Sequence, residues 1–173
     1  MTKRIEKDFL TGDVLDLAPA LLGMQIVRHD GTGNLSTFTI TETEAYRGEE
    51  DLACHVSRGR RTTRTEIMYQ EGGVLYVYLV YGMHWMLNIV TGREEEPQAV
   101  LLRGVQGVQG PGRVTKALGI DKSFKGEDLT LSPRIWLQNR GISLPYKAAP
   151  RIGIDYAGPV WKNKPWRFVA ISS

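Results

Sequence analysis

The sequence predicts one domain of mixed α/β (α+β) class, and three observations carry that expectation. At 173 residues the chain is long enough to bury a hydrophobic core and short for two domains. Runs rich in Val, Ile, Leu, Thr and Tyr recur between turns built on Gly and Asn, the pattern of β-strands. Near the start, apolar residues at helical spacing are bracketed by a cap at each end. No repeat, linker or low-complexity tract interrupts the chain, so the expected domain runs over residues 1–173.

The first helix is expected from Asp13 to Leu22. Asp13 caps it, Val14, Leu17, Leu21 and Leu22 share a face, and Gly23 ends it. A strand over Met24–Arg28 and a turn over Asp30–Asn34 follow. In the next strand, Ser36–Tyr46, strict alternation puts Phe38, Ile40, Glu42, Glu44 and Tyr46 on one face. The other face takes Thr37, Thr39, Thr41, Thr43 and Ala45. Two carboxylates on the side that began with core residues suggest a functional pocket. An inward threonine face, or a bulge that breaks the alternation, explains the pattern as well.

Arg47–Arg64 reads as irregular or partly helical and ends in Arg58-Gly59-Arg60-Arg61-Thr62-Thr63-Arg64. Such a run suits phosphate contacts, or is a solvated basic loop. Val74–Val80 and Trp85–Val90 are strand-like, with Tyr81-Gly82-Met83-His84 as the connecting turn. A tyrosine at a hairpin tip either wedges between bases or packs on a neighbouring loop. Gln98–Arg103 is a buried strand ending in an arginine that needs a partner if it points inward. The glycine-rich Gly104–Gly112 then leads into a short helix, Arg113–Leu118, a junction whose amides can hold a phosphate. The tail from Ile135 mixes short strands and loops, and it is basic and aromatic around Lys162, Lys164, Trp166 and Arg167.

Composition narrows the chemistry by exclusion. A net charge of +3 and a pI near 9.0 are compatible with a polyanionic partner without singling one out. The only cysteine, Cys54, cannot form an intramolecular disulfide; it is a nucleophile or, more commonly for a buried thiol, inert. The charged start has no apolar signal core. From Gly72 to Gly92 there is no Asp, Glu, Lys or Arg, a length that can span a bilayer. Its tyrosines, His84 and Asn88 make a buried hairpin the better reading, so no membrane partner is expected. His29, His55 and His84 form no metal-binding motif, and neither a nucleophile elbow nor a dinucleotide fingerprint is present, so no metal and no cofactor are expected. What remains is a carboxylate pair, aromatic rings, an arginine and a basic loop. These suit glycosidic cleavage through an oxocarbenium-like transition state and recognition of a flipped base.

At Glu42-Thr43-Glu44-Ala45-Tyr46 and at LYVYLVYGM (Leu75–Met83) the sequence resembles the alkyladenine (3-methyladenine) DNA glycosylase family. Supporting motifs lie at ALLG (Ala20–Gly23), ACH (Ala53–His55), RTTRTEIM (Arg61–Met68) and PQAVLLRG (Pro97–Gly104). Further along are GPGRVTKALGI (Gly110–Ile120), PRIGIDYAG (Pro150–Gly158) and KPWRF (Lys164–Phe168). They stand in family order and cover most of the chain.

The resemblance implies a compact domain with a curved, mostly antiparallel sheet flanked by helices, from which a β-hairpin protrudes into the DNA minor groove. It implies a monofunctional glycosylase of base excision repair that flips 3-methyladenine, hypoxanthine or ethenoadenine out of duplex DNA and hydrolyses the N-glycosidic bond. Glu44 matches the general base and Arg103 the arginine that positions its water and favours the charged carboxylate. Tyr46, His55 and Tyr78 match the aromatic walls around the base, and Leu101 lies with them. Asn88 matches the residue that reads the purine edge and penalises the guanine amino group. Tyr81 matches the tyrosine that fills the gap in the helix, with Gly82 and Met83 beside it; Arg61 and Arg64 match basic residues near the backbone.

The partner implied is double-stranded DNA carrying a damaged purine, bound by a monomer. The location expected is the bacterial cytoplasm, at the nucleoid, or the nucleus in a eukaryote. Val56 follows the histidine where serine is frequent, Thr63 stands for a proline, and His84 for a tyrosine. The segment after Arg103 is short and the chain stops soon after Trp166-Arg167-Phe168, implying a trimmed member with weaker DNA grip or altered substrate range. Two rivals remain at this point: a binding-only relative, and a hydrolase of RNA or nucleosides.

Overall fold

A computed structural model describes residues 2–171. In chain order the elements begin with β1 (Lys3–Arg4), α1 (Lys7–Leu10), α2 (Val14–Ala20), β2 (Gln25–His29) and β3 (Leu35–Tyr46). Then come β4 (Leu75–Val80), β5 (His84–Thr91), β6 (Gln98–Val105), β7 (Val108–Gln109) and α3 (Pro111–Leu118). The chain closes with β8 (Ile135–Asn139), β9 (Tyr146–Ala149), α4 (Gly158–Lys162) and β10 (Arg167–Ala170). The strands make one open sheet in the order β1-β8-β2-β3-β6-β5-β4. Beside β3, β10 adds a further edge and carries β9; each pairing is antiparallel. The mixed α/β class and antiparallel sheet are those expected.

Asp13 caps α2 as read from the sequence, its carboxylate accepting the Leu15 amide at 2.8 Å. The helix is shorter than expected, because Leu21 is already its C-cap. The sheet has two working faces. On one, Val77, Leu87, Ile89, Val100 and Leu102 form the main core with Val14 and Ala18 of α2 and Val114 and Leu118 of α3. On the other, Tyr76, Val90 and Ala99 meet Cys54, Val56, Met68 and Tyr69 from the irregular segment between β3 and β4. Burying both faces of the sheet puts side chains of alternating position into different environments.

β3 does not keep strict alternation. Ile40 pairs with Val105, Glu42 with Gly104 and Thr43 with Leu102, which leaves Thr41 on β3 and Arg103 on β6 as extra, unpaired residues. These compensating bulges restore the register, so Glu44 faces Leu101 and Tyr46 faces Ala99 across the strands. Ile40 and Ala45 consequently share the main core although they stand five positions apart, an odd step that strict alternation would put on opposite faces. Thr43, on the core side, satisfies its hydroxyl on the Ala18 carbonyl at 2.8 Å. Of the readings the pattern left open, the bulge is the one found: it turns Glu42, Glu44 and Tyr46 away from the core that holds Ile40.

The uncharged stretch from Gly72 is the β4–β5 hairpin, and among the described residues no helix is long and apolar enough to cross a membrane. Its tip is tighter than expected, since His84 already belongs to β5 and pairs with Val80. Tyr81 and Gly82 take φ of +53° and +67°, and the Met83 amide closes the turn on the Val80 carbonyl at 3.1 Å. Positive φ is costly for an aromatic residue and routine for glycine. It leaves Tyr81 90% exposed and Met83 70% exposed. The glycine-rich stretch after Arg103 is also corrected: β6 continues to Val105 and folds back as β7 before α3 begins.

Candidate active site

Glu44 and Arg103 meet because matching bulges turn both toward the same side of the sheet. Arg103 Nη1 lies 3.7 Å from Glu44 Oε1 and its Nε lies 3.6 Å from Glu42 Oε1. At these separations the guanidinium neutralises two carboxylates without hydrogen bonding to either, and its donors stay available to a third group. Glu42 is held independently by Arg167 of β10 at 2.9 Å.

The Glu44 carboxylate is fully buried and still has two good donors: the Tyr46 hydroxyl gives a 2.8 Å bond to Oε1 and the Ile152 amide a 2.8 Å bond to Oε2. Burial raises its pKa above the ordinary 4.5; Arg103 foremost, then the Ile152 amide, Tyr46 and Arg151, oppose that rise. The expected pull of Arg103 toward the charged form is present, and burial outweighs it. Burial and the neighbouring Glu44 likewise hold the Tyr46 hydroxyl well above its usual range, so it remains a donor.

Beside this group the second face of the sheet opens into a cavity of about 40 Å³ walled by Tyr46, His55, Tyr76, Tyr78, Asn88 and Tyr156, among others. The rings form one cluster: His55 stands edge-on to Tyr78 at 4.7 Å and to Tyr76 at 5.9 Å. Asn88 is buried and donates to the Tyr76 carbonyl at 3.3 Å. Leu101 is also buried, in register between Glu44 and Asn88, but it does not line the cavity. Cys54 does line it; burial pushes its thiol up to about 11, which favours the inert reading.

His55 Nδ1 lies 2.8 Å from the Tyr76 hydroxyl and 3.1 Å from Arg64 Nη2. Arg64 can only donate, so Nδ1 presents its lone pair and the ring proton resides on Nε2. Burial, reinforced by Arg64 and Arg60, lowers the His55 pKa to about 4. The unfolded chain takes up this proton near 6.5, whereas the native state resists it down to about 4. The stability that neutral His55 contributes is therefore whole above that window and is lost as pH falls through it. In melting experiments at about pH 7 and about pH 5, His55→Gln is expected to show a smaller drop than the wild type. An equal drop in both would remove His55 from the acid response.

The basic loop divides. Arg64 turns inward, over the Tyr78 ring at 5.5 Å and within 3.3 Å of the Tyr76 hydroxyl. Arg58, Arg60 and Thr62 line a groove of about 650 Å³ that adjoins the cavity at His55 and Tyr156. Arg61 stands apart: Glu66 and Glu95 both grip its guanidinium, at 2.6 Å each, and it stacks on Tyr69 at 4.1 Å. Any phosphate contact by Arg61 has to compete with those carboxylates. Tyr81, Gly82 and Met83 sit at the hairpin tip, directly after the strand that carries Tyr76 and Tyr78 into the pocket.

Sequence reasoning assigned no role to Tyr76, Asp51, Arg151, the Ile152 amide or Tyr156. The last three lie within PRIGIDYAG, a motif noted only for its resemblance. Tyr156 covers the cavity, its hydroxyl donating to the Ala53 carbonyl at 2.8 Å. Among the described residues no group of three or more His, Cys, Asp or Glu side chains is placed to hold a metal ion.

The model of the methylpurine-DNA glycosylase family matches residues 8–109 and 106–173. The two stretches overlap at residues 106–109, in the β6–β7 hairpin just beyond Arg103. A protein of Psychrobacter cryohalolentis named as a 3-methyladenine DNA glycosylase is 41% identical over 83% of this chain and 79% of its own. One of Desulfitobacterium hafniense with the same name is 40% identical over 96% of this chain and 94% of its own, and one of Natranaerobius thermophilus is 35% identical over 95% and 94%. A family model that spans nearly the whole chain, with relatives this similar along its length, shows that the chain belongs to the methylpurine-DNA glycosylase family, N-glycosyl hydrolases that remove alkylated bases from DNA.

Proposed function

We propose that this chain excises alkylated and deaminated purines (3-methyladenine, hypoxanthine, ethenoadenine) from duplex DNA, using a water molecule activated by Glu44. The observation that carries this reading is a fully buried carboxylate, held by an amide and a hydroxyl and flanked by Arg103, at the edge of an aromatic cavity. Glu44 takes the proton as water attacks C1′ of the flipped nucleotide, and the purine leaves. The negative charge of Glu44 faces the oxocarbenium character that develops on the sugar. Arg103, near Glu44 without being bonded to it, positions the water and keeps the carboxylate ionised when it acts.

The rings of Tyr46, His55 and Tyr78 enclose the base, and an electron-poor alkylated purine gains from their π faces. Asn88 tests the purine edge, and Leu101 backs the site from within the sheet. Tyr81 enters the gap left in the duplex, with Gly82 and Met83 beside it. Arg64 and, more weakly, Arg61 contact the backbone. Tyr156, 69% exposed and tied by one hydrogen bond, borders the opening through which the base enters. The enzyme acts as a monomer on double-stranded DNA and needs neither metal nor cofactor.

Base release from a duplex carrying one hypoxanthine or ethenoadenine, read as alkali-revealed strand breaks over several turnovers, tests the reading. Its acid limb is expected above the ordinary glutamate value of 4.5, because burial raises Glu44 and only the ionised form can take a proton. Tight binding without release from these duplexes or from alkylated DNA would instead identify a protein that only recognises damage.

A further inference from the structure

Outside the pocket, one group of charges is buried without a part in the chemistry so far described. Arg151 and Asp51 have fully buried side chains and pair through both nitrogens, at 2.6 and 2.9 Å. The remaining valences reach outward. Arg151 donates to the Ala45 carbonyl at 3.0 Å and, at 3.4 Å, to the carbonyl of Trp161 in α4. Asp51 accepts the Arg47 and Ala53 amides, each at 3.0 Å. The guanidinium sits between the Tyr46 ring at 4.9 Å and the Trp166 ring at 5.0 Å.

A buried ion pair is a poor way to gain stability, because desolvating both charges consumes most of their attraction. What it does well is fix geometry. Apart from Trp161 in α4, each stretch of chain that this pair ties together adjoins a working residue. Ala45 follows Glu44, Ala53 lies two residues before His55, and Arg151 directly precedes Ile152, whose amide bonds to Glu44.

We infer that Arg151, clamped by Asp51, is a positioning residue that holds the Ile152 amide on Glu44 and so sets the aim and acidity of the general base. This rests on the reading of Glu44 as that base. The groups facing Glu44 are Tyr46 and Glu42 from β3, Arg103 from β6, Arg167 from β10, and Arg151 and Tyr156 from the C-terminal segment. Arg167 also reaches the segment that supplies the amide, donating to the Pro150 carbonyl at 2.8 Å, but Arg151 directly precedes Ile152 and is the one clamped by a buried carboxylate. Loss of the fork lets that amide drift, removes a donor that favours the carboxylate, and leaves Glu44 protonated to higher pH.

The variant Asp51→Asn/Arg151→Gln keeps hydrogen-bonding atoms at both positions and removes both charges. It is expected to bind lesion duplex as the wild type does and to release base about 10- to 100-fold more slowly in single turnover. The acid limb of its rate is expected to move to higher pH. Arg151→Lys, which keeps the charge but not the fork, should keep most of the limb and still lose rate. If the double variant does not fold, Arg151→Lys carries the test: a wild-type rate overturns the inference. A folded double variant with wild-type rate and limb makes the pair a structural staple and overturns it too. Glu44→Gln runs beside them. Wild-type release by that variant sinks the general-base reading and this inference with it; an inactive Glu44→Gln beside an unaffected pair variant sinks the inference alone.

Discussion

Glu44→Gln is expected to slow single-turnover base release by about 10²- to 10⁴-fold, the range that a positioned general base contributes. The substitution changes little else. Glutamine has nearly the same shape, and its carbonyl can still accept from the Tyr46 hydroxyl or the Ile152 amide, which now bond to Glu44. What it cannot do is take a proton from water. Stability is expected to hold, and the sign follows from burial. The native state keeps the Glu44 proton to higher pH than the unfolded chain does, so this group loses stability as pH rises from 4.5 through its raised value. A glutamine side chain, which does not titrate, has no such slope. A variant that melts with the wild type at neutral pH, binds lesion duplex and releases nothing would place the base at Glu44. Release at the wild-type rate would move the chemistry elsewhere, with Glu42 next to be tested.

The largest effect on stability is expected from Arg151→Met, at about 3–5 kcal/mol in denaturant unfolding. The mutation deletes the partner of a carboxylate that water does not reach, and methionine offers Asp51 nothing in return. The Ala45 carbonyl loses its donor in the same step. Asp51→Asn/Arg151→Gln should cost clearly less, since neither charge is then left alone. The two single changes and the double form a mutant cycle whose coupling measures the pair. Additive costs, with no coupling, would mean that Asp51 and Arg151 stabilise the protein through their other contacts. The cycle is independent of catalysis, so it separates what the pair does for the fold from what it does for Glu44.

Much of this protein was legible in order along the chain. Asp13 announces α2 because a carboxylate before an apolar helical run has one obvious amide to accept. β3, β4, β5 and β6 were legible from their branched and aromatic residues, and Tyr81-Gly82 marked the hairpin tip. The motifs carried Glu44, Arg103 and the aromatic residues to their positions, and the structure brings Tyr46, His55, Tyr78 and Asn88 around one cavity next to Glu44. Family membership follows from the same motifs.

Tertiary structure decided what depends on a partner distant in sequence. The bulge at Thr41 is a property of two strands in register, so strict alternation along β3 could not show that Glu44 and Ile40 face opposite ways. Arg61 looks free within its loop, yet Glu95, 34 residues on, claims its guanidinium. Glu44 waits for an amide 108 residues away, and Asp51 for an arginine 100 residues away. Local pattern specifies which side chains the chain offers and which elements carry them. How deeply a carboxylate is buried, and which donors reach it, is settled only when the segments that enclose it have packed, because burial and hydrogen bonding are properties of the assembled neighbourhood.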